Sequence, residues 1–223
     1  MTMLIKQLQL HINFHYKAIL IFWIVALLIK GTTSAVDLKG VKVGFLHDIL
    51  NNSSIAIAIF MVASTFIIQD DVFRLAVSFG VTRVQFFMGS VCYIILQSAL
   101  FSFLQVVLLQ NTLYITENAS LGGNSVVQFF VQFLFYVTIA TFFQVVVIIK
   151  QRFQWIGLMI GGTLLLVTIS VLYGEAGIKG LVFTSNTTLI EIPYFIGISI
   201  GLTIFYFVIG SIFIRKVSFE QTV

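Results

Sequence analysis

Long apolar stretches, separated by short groups of charged residues, follow one another along the whole chain. A helix needs about 20 mostly apolar residues to cross a hydrocarbon core roughly 30 Å thick. The pattern therefore predicts an all-α polytopic membrane protein in which residues 1–223 form a single transmembrane domain. The six predicted transmembrane helices cover residues 17–36, 49–68, 86–109, 126–149, 155–173 and 194–214.

The first predicted span is the weakest, because only the 12 residues from Ala18 to Ile29 are continuously apolar. This segment crosses the membrane only if the helix continues to Val36 and the Lys30 side chain extends its ammonium group to the surface. A re-entrant segment is the alternative. It would leave five spans and place the two termini on opposite sides of the membrane.

Residues 1–16 show a different pattern. Apolar residues recur at helical spacing, at Leu4, Ile5, Leu8 and Ile12, and polar residues four apart occupy another face, at Gln7, His11 and His15. This pattern predicts an amphipathic helix that lies on the membrane surface. His11 and His15 have the spacing of a metal-binding pair, but no third ligand is nearby. We interpret both histidines as interfacial residues and predict no metal site.

The positions of Lys and Arg predict the orientation, because these residues accumulate in cytoplasmic loops. With the N-terminus inside, eight of the 12 Lys and Arg residues lie on the cytoplasmic side and four lie outside. The short turn from Lys150 to Arg152 is the clearest cytoplasmic feature. Six spans then place both termini in the cytoplasm.

Composition supports a lipid environment and excludes several function classes. Hydrophobic residues make up 59% of the chain and charged residues 9%, whereas a soluble domain carries about 25% charged residues. The net charge of +4 is spread along the chain, so we expect no nucleic-acid partner. The single cysteine, Cys92, cannot form an internal disulfide.

Ionisable side chains are absent from the cores of the predicted helices, which argues against a proton-coupled carrier. The sequence also lacks a phosphate-binding loop of the Walker type and any intramembrane catalytic constellation. We therefore expect the protein not to be an enzyme by itself. An ion-coupled carrier stays as a minor alternative, and it would require a flux that depends on pH or sodium.

The predicted helices do carry uncharged polar residues, notably Gln97, Gln105, Gln128 and Gln132, with Gln144 further along. These amides either form hydrogen bonds between helices or line a path for an amphipathic passenger. Glycines four apart, at Gly157 and Gly161 and at Gly197 and Gly201, permit close helix contact within the subunit or between subunits.

The segment between the second and third spans, residues 70–80, is predicted to form a short cytoplasmic helix, here named the inner segment. Asp70 or Asp71 can cap its N-terminus, and Gly80 can end it in a left-handed conformation. The apolar face comprises Val72, Phe73, Ala76 and Phe79, and Arg74 lies on the polar face. A capped loop helix without further function is the simpler interpretation.

Residues 73–89, FRLAVSFGVTRVQFFMG, resemble the corresponding loop in permease subunits of type 2 ABC exporters. The number of spans, the small cytoplasmic face and the outer segment between the last two spans are also similar to that family. The resemblance implies that the inner segment is a coupling helix that docks onto a separate ATPase subunit. The residues it assigns to ATPase binding are Asp70, Asp71, Val72, Phe73, Arg74, Ala76, Val77 and Phe79.

The same resemblance implies the cofactors and the partners. ATP and magnesium would bind the partner ATPase and not this chain, and a second permease copy or a paralogous permease would complete the transporter. The composition resembles small Gram-positive permeases that export phenol-soluble modulins or confer lantibiotic immunity. This resemblance implies that the protein lies in a bacterial cell membrane, in contact with lipid. It also implies that the passenger is an amphipathic peptide or a lipid-like molecule. The alternative is a non-transporting immunity or scaffold protein.

Overall fold

The computed structural model describes residues 3–35, 53–109, 125–157, 159–164 and 191–215, and these residues are helical apart from short turns. The helices, in chain order, are α1 (Met3–Ala35), α2 (Ser53–Ile67) with a π-helical turn (Ile68–Val72), α3 (Phe73–Ser78), α4 (Arg83–Leu104) with a second π-helical turn (Gln105–Leu109), α5 (Ser125–Phe153), α6 (Trp155–Leu164) and α7 (Glu191–Ile214).

Within the described part, five helical stretches are long and apolar enough to cross a membrane, which agrees with the predicted all-α membrane class. They are Leu8–Leu28, Ala56–Ser78, Arg83–Val107, Val126–Phe153 and Phe195–Ile214. The predicted span at 155–173 is represented by α6, and its residues 165–173 lie outside the described residues. The outer segment between the last two predicted spans lies there as well.

Helix α1 differs from the prediction of a surface helix over residues 1–16 followed by a span over 17–36. The structure has one uninterrupted helix, Met3–Ala35, whose membrane-compatible stretch is Leu8–Leu28. The boundary expected near residue 16 has neither a glycine nor a proline on either side. Nothing in the local sequence therefore ends the helix there.

Helix α5 lies at the centre of the described bundle and contacts α2, α4 and α7. Helix α5 runs parallel to α7. The hydroxyl oxygens of Thr138 and Thr203 are 3.0 Å apart, and further along both helices the ring centroids of Phe153 and Phe213 are 6.1 Å apart. Two parallel helices joined in sequence require the chain between them to return along the bundle.

Helix α6 begins this return. It starts after Gln154, a non-glycine residue with a φ of 49°, and runs back along α5. A Cβ atom added at Gly157 would lie 2.5 Å from the Ile149 carbonyl oxygen, and one added at Gly161 would lie 2.7 Å from a Val146 methyl group. The first glycine pair therefore packs within the subunit.

The second glycine pair lies on α7 and has a different environment. Gly197 and Gly201 are exposed, and a Cβ atom at either position would meet nothing within 4 Å. Among the described residues, no neighbour requires these two positions to be small.

Candidate functional site

The inner segment is a direct continuation of α2 and not a separate capped helix. The chain passes from Ile67 through the π-helical turn into α3, and the Phe73 amide donates to the Ile68 carbonyl oxygen five residues earlier. The N-cap position of α3 is Val72, which has helical backbone angles and no side-chain cap. The expectation that Asp70 or Asp71 caps a helix is wrong, because no helix N-terminus is free there.

The C-terminal end of the inner segment follows the prediction made from Gly80. Gly80 has a φ of 79°, its amide donates to the Val77 carbonyl oxygen at 2.9 Å, and the Val81 amide donates to the Ala76 carbonyl oxygen at 3.1 Å. These two hydrogen bonds form a Schellman motif, which ends a helix with a left-handed residue.

Helix α4 then starts with a capping box that we did not predict. The Gln85 amide donates to the Thr82 hydroxyl oxygen at 3.3 Å, and the Thr82 amide donates to the Gln85 side-chain oxygen at 3.1 Å. The signal was present in the sequence, since Thr followed by Gln three residues later is the capping-box pattern.

The apolar face that we assigned to ATPase binding lies mostly inside the protein. Val72, Phe73 and Ala76 are fully buried, and the ring centroid of Phe73 lies 5.0 Å from that of Phe86 on α4. Their assignment as partner contacts is therefore corrected. Their side chains belong to one core cluster with Phe86 and Phe87 at the start of α4.

A different face of the inner segment is accessible. Asp71, Arg74, Leu75 and Phe79 recur at helical spacing and are all exposed, and we name them the exposed inner surface. Phe79 is 73% exposed, and Leu75 is 39% exposed. Sequence reasoning missed Leu75, although its position four residues before Phe79 and four after Asp71 was the available signal.

The remaining assigned residues of this segment lie between the two faces. Asp70 and Val77 are half-buried. A carboxylate oxygen of Asp70 lies 3.9 Å from the Arg74 guanidinium, with both side chains largely in contact with solvent. Such an exposed pair contributes about 0–1 kcal/mol to stability, so it leaves Arg74 available to a partner.

Two of the four glutamines assigned to a substrate path bond to neighbouring helices. Gln97 on α4 bonds to the Ser64 hydroxyl of α2 at 3.3 Å. Gln105 donates to the Ser54 hydroxyl at 2.7 Å and accepts from the Tyr136 hydroxyl of α5. These contacts agree with the interhelical interpretation of both glutamines.

The other two assigned glutamines are on α5. Gln132 is buried, and neither atom of its amide has a hydrogen-bond partner among the described residues. Gln128, one turn before it, is half-buried. Gln144, further along the same helix, donates to the Ser90 hydroxyl of α4 at 2.6 Å. Among the buried glutamines assigned to the path, Gln132 is the one whose amide has no partner in the described part of the chain.

His11 and His15 are buried, and our interpretation of them as interfacial residues is wrong. His11 is 0% exposed and His15 is 2% exposed. The ring centroid of His11 lies 5.3 Å from Phe86 and 5.5 Å from Tyr93, and that of His15 lies 5.6 Å from Tyr93. Both histidines lie before the first predicted span, 17–36, but within the membrane-compatible stretch Leu8–Leu28 of the structure.

The reversal on α1 has a physical reason. Apolar side chains such as Ile12 point outward, where a membrane provides an apolar solvent, and the polar histidines point towards α4. In the described part of the chain, no three or more His, Cys, Asp and Glu side chains gather into a complete metal-ligand set.

The comparisons with known proteins give one match. A family model described as "Protein of unknown function (DUF4052)" matches residues 4–220, which is nearly the whole chain. Comparison with curated proteins and with solved structures finds no match.

Proposed function

The chain belongs to the DUF4052 family, and we propose that it is the membrane-spanning permease subunit of an ATP-driven exporter of the type 2 ABC class. A separate ATPase subunit would supply the energy, and a second permease, identical or paralogous, would complete the membrane part. The proposed location is a bacterial cell membrane, with six spans and both termini in the cytoplasm. The proposed passenger is an amphipathic peptide or a lipid-like molecule.

One observation carries this proposal: the inner segment is held firmly on one side and exposed on the other. Phe73 and Ala76 are enclosed by the core, while Leu75 and Phe79 face outward. A helix mounted in this way transmits displacement, because packed interiors shift as units and do not compress. A partner that moves the exposed inner surface would therefore also move α2 and α4.

The central helix is linked to the same region. The Gln151 side chain near the end of α5 donates to the Gln69 carbonyl oxygen in the π-helical turn at 2.6 Å. Motion of the inner segment would reach α5 through this bond. Helix α5 carries Gln132, whose unpaired buried amide supports a polar contact with a passenger.

The experiment is copurification of the ATPase subunit with variants of the exposed inner surface, after mild detergent extraction from the native host. We expect Phe79→Asp and Arg74→Glu to abolish recovery of the ATPase, because the first removes apolar contact and the second reverses charge. Phe79→Leu is the matched control and should retain the ATPase. Equal elution volumes in size-exclusion chromatography would show that the variants fold.

Phe73→Asp is unsuitable for this test, because the side chain is fully buried and the variant would destabilise the core. Retention of the ATPase by both Phe79→Asp and Arg74→Glu would contradict the docking role. Failure to recover any ATPase with the unmodified protein, even after cross-linking, would favour the non-transporting immunity or scaffold protein instead.

A further inference from the structure

Three ring nitrogens of the buried histidines on α1 have no hydrogen-bond partner in the described part of the chain. They are Nδ1 and Nε2 of His11 and Nε2 of His15. Buried polar atoms in proteins are nearly always paired, and an unpaired atom calls for an occupant such as water or an ion. Two imidazoles in this state, one turn apart, indicate a site for a small ligand.

The chemistry of His15 shows what kind of ligand fits. Its Nδ1 lies 3.2 Å from the His11 carbonyl oxygen. Because a carbonyl oxygen only accepts, Nδ1 carries the hydrogen, and Nε2 of the neutral ring presents a free lone pair. An imidazole that donates one N–H to a backbone carbonyl and offers the other nitrogen is the arrangement found in metal-ligating histidines.

The spacing brings the two imidazoles together. Residues four apart lie above each other on one helix face, and both rings contact the same ring, that of Tyr93. Two histidines with this spacing on a helix are a recurring zinc-binding element. We propose that His11 and His15 form a binding site for a divalent transition-metal ion of the zinc class.

The ligand set defines which ions qualify. Imidazole nitrogens suit zinc, copper and nickel, whereas magnesium and calcium prefer oxygen ligands. The ring contacts of this pair are to Phe14, Phe86 and Tyr93, which include no carboxylate. The two imidazoles supply two ligands, fewer than the four of a structural zinc site, so we expect an exchangeable ion and not a permanent structural metal.

The site also lies close to the inner segment. Phe86 contacts His11 at 5.3 Å and Phe73 at 5.0 Å between ring centroids, so a single ring separates the two regions. The proposal is independent of the proposed transport function, because it depends on the histidines alone.

The first test is titration of the detergent-solubilised full chain, prepared without a polyhistidine tag, with Zn²⁺ by calorimetry and with Co²⁺ by visible absorption. We expect one ion per chain. His11→Gln and His15→Gln should each weaken binding about tenfold or more. His47→Gln replaces the third histidine of the chain and is the matched control, which should bind as tightly as the unmodified protein.

The second test needs no substitution and therefore does not depend on whether the variants fold. ¹⁵N NMR of histidine-labelled protein contains signals from only three side chains. Zn²⁺ should shift the Nε2 signal of His15 and one nitrogen of His11 and leave His47 unchanged. Absence of any shift, or loss of binding in His47→Gln alone, would overturn the proposal.

Discussion

Replacing Gly157 by alanine tests the contact between α5 and α6. The new methyl carbon would lie 2.5 Å from the Ile149 carbonyl oxygen and 2.7 Å from the Lys150 Cα atom, whereas ordinary contact for a Cβ begins at about 3.4 Å. Both neighbours are backbone atoms, so the two helices must separate by roughly 1 Å. Overpacking of this kind costs about 1–3 kcal/mol.

Part of this cost is offset, because alanine in a helix is favoured over glycine by about 0.5–1 kcal/mol. We therefore expect Gly157→Ala to lower the free energy of unfolding by about 1 kcal/mol, near the middle of a range of about 0–2.5 kcal/mol. Gly162 lies on the same helix, and a Cβ atom there meets nothing within 4 Å. Gly162→Ala is the matched control, and it should raise the free energy of unfolding by about 0.5–1 kcal/mol.

The assay is reversible unfolding of the detergent-solubilised chain in SDS, followed by tryptophan emission. The two substitutions change the same number of atoms in the same helix, so the difference between them isolates the contact with α5. Equal unfolding curves for Gly157→Ala and Gly162→Ala would refute the argument that α6 packs on α5 through the Gly157 backbone.

Two further predictions concern polar contacts. Tyr136→Phe removes the hydroxyl that donates to Gln105 and should lower the free energy of unfolding in SDS by about 0.6–1.7 kcal/mol. The control Tyr16→Phe, at an exposed ring, should leave the free energy of unfolding unchanged. An equal effect of the two substitutions would contradict the value assigned to the hydrogen bond. Thr82→Ala removes the capping box of α4 and should lower the free energy of unfolding by about 1 kcal/mol in the same assay. The control Thr82→Ser keeps a hydroxyl and should retain most of that stability. An unchanged free energy of unfolding in Thr82→Ala would show that the cap contributes nothing.

The all-α membrane class of this protein was predictable because length and hydropathy are sufficient for it. Apolar runs of about 20 residues leave few structures other than a spanning helix, since every backbone amide must be satisfied within the segment. Gly80 was predictable for a similar reason: it follows the helical residues of the inner segment, where a left-handed residue is needed. Local signals of this kind depend on neighbouring residues alone.

The orientation of helix faces was not predictable by the same reasoning. On α1 and on the inner segment, the sequence showed an apolar face and a polar face, and we assigned the apolar face to the membrane surface or to a partner. In a lipid environment an apolar face has two favourable neighbours, the lipid and the protein core. We therefore predicted the side chains of His11 and Phe73 at a surface, whereas both are buried. Only tertiary contacts show whether such a face meets lipid or the protein core.

The π-helical turn at Ile68–Val72 explains why the start of the inner segment was predicted wrongly from its sequence. The turn carries the helix from α2 into α3 without a free N-terminus, so a side-chain cap at Asp70 or Asp71 has nothing to cap. Beyond the turn, Phe73 and Ala76 point into the bundle and Leu75 and Phe79 point away from it. The inner segment therefore has a core-facing side and an outward-facing side within about two helical turns, and only the tertiary contacts of Phe73 and Ala76 show which side is which.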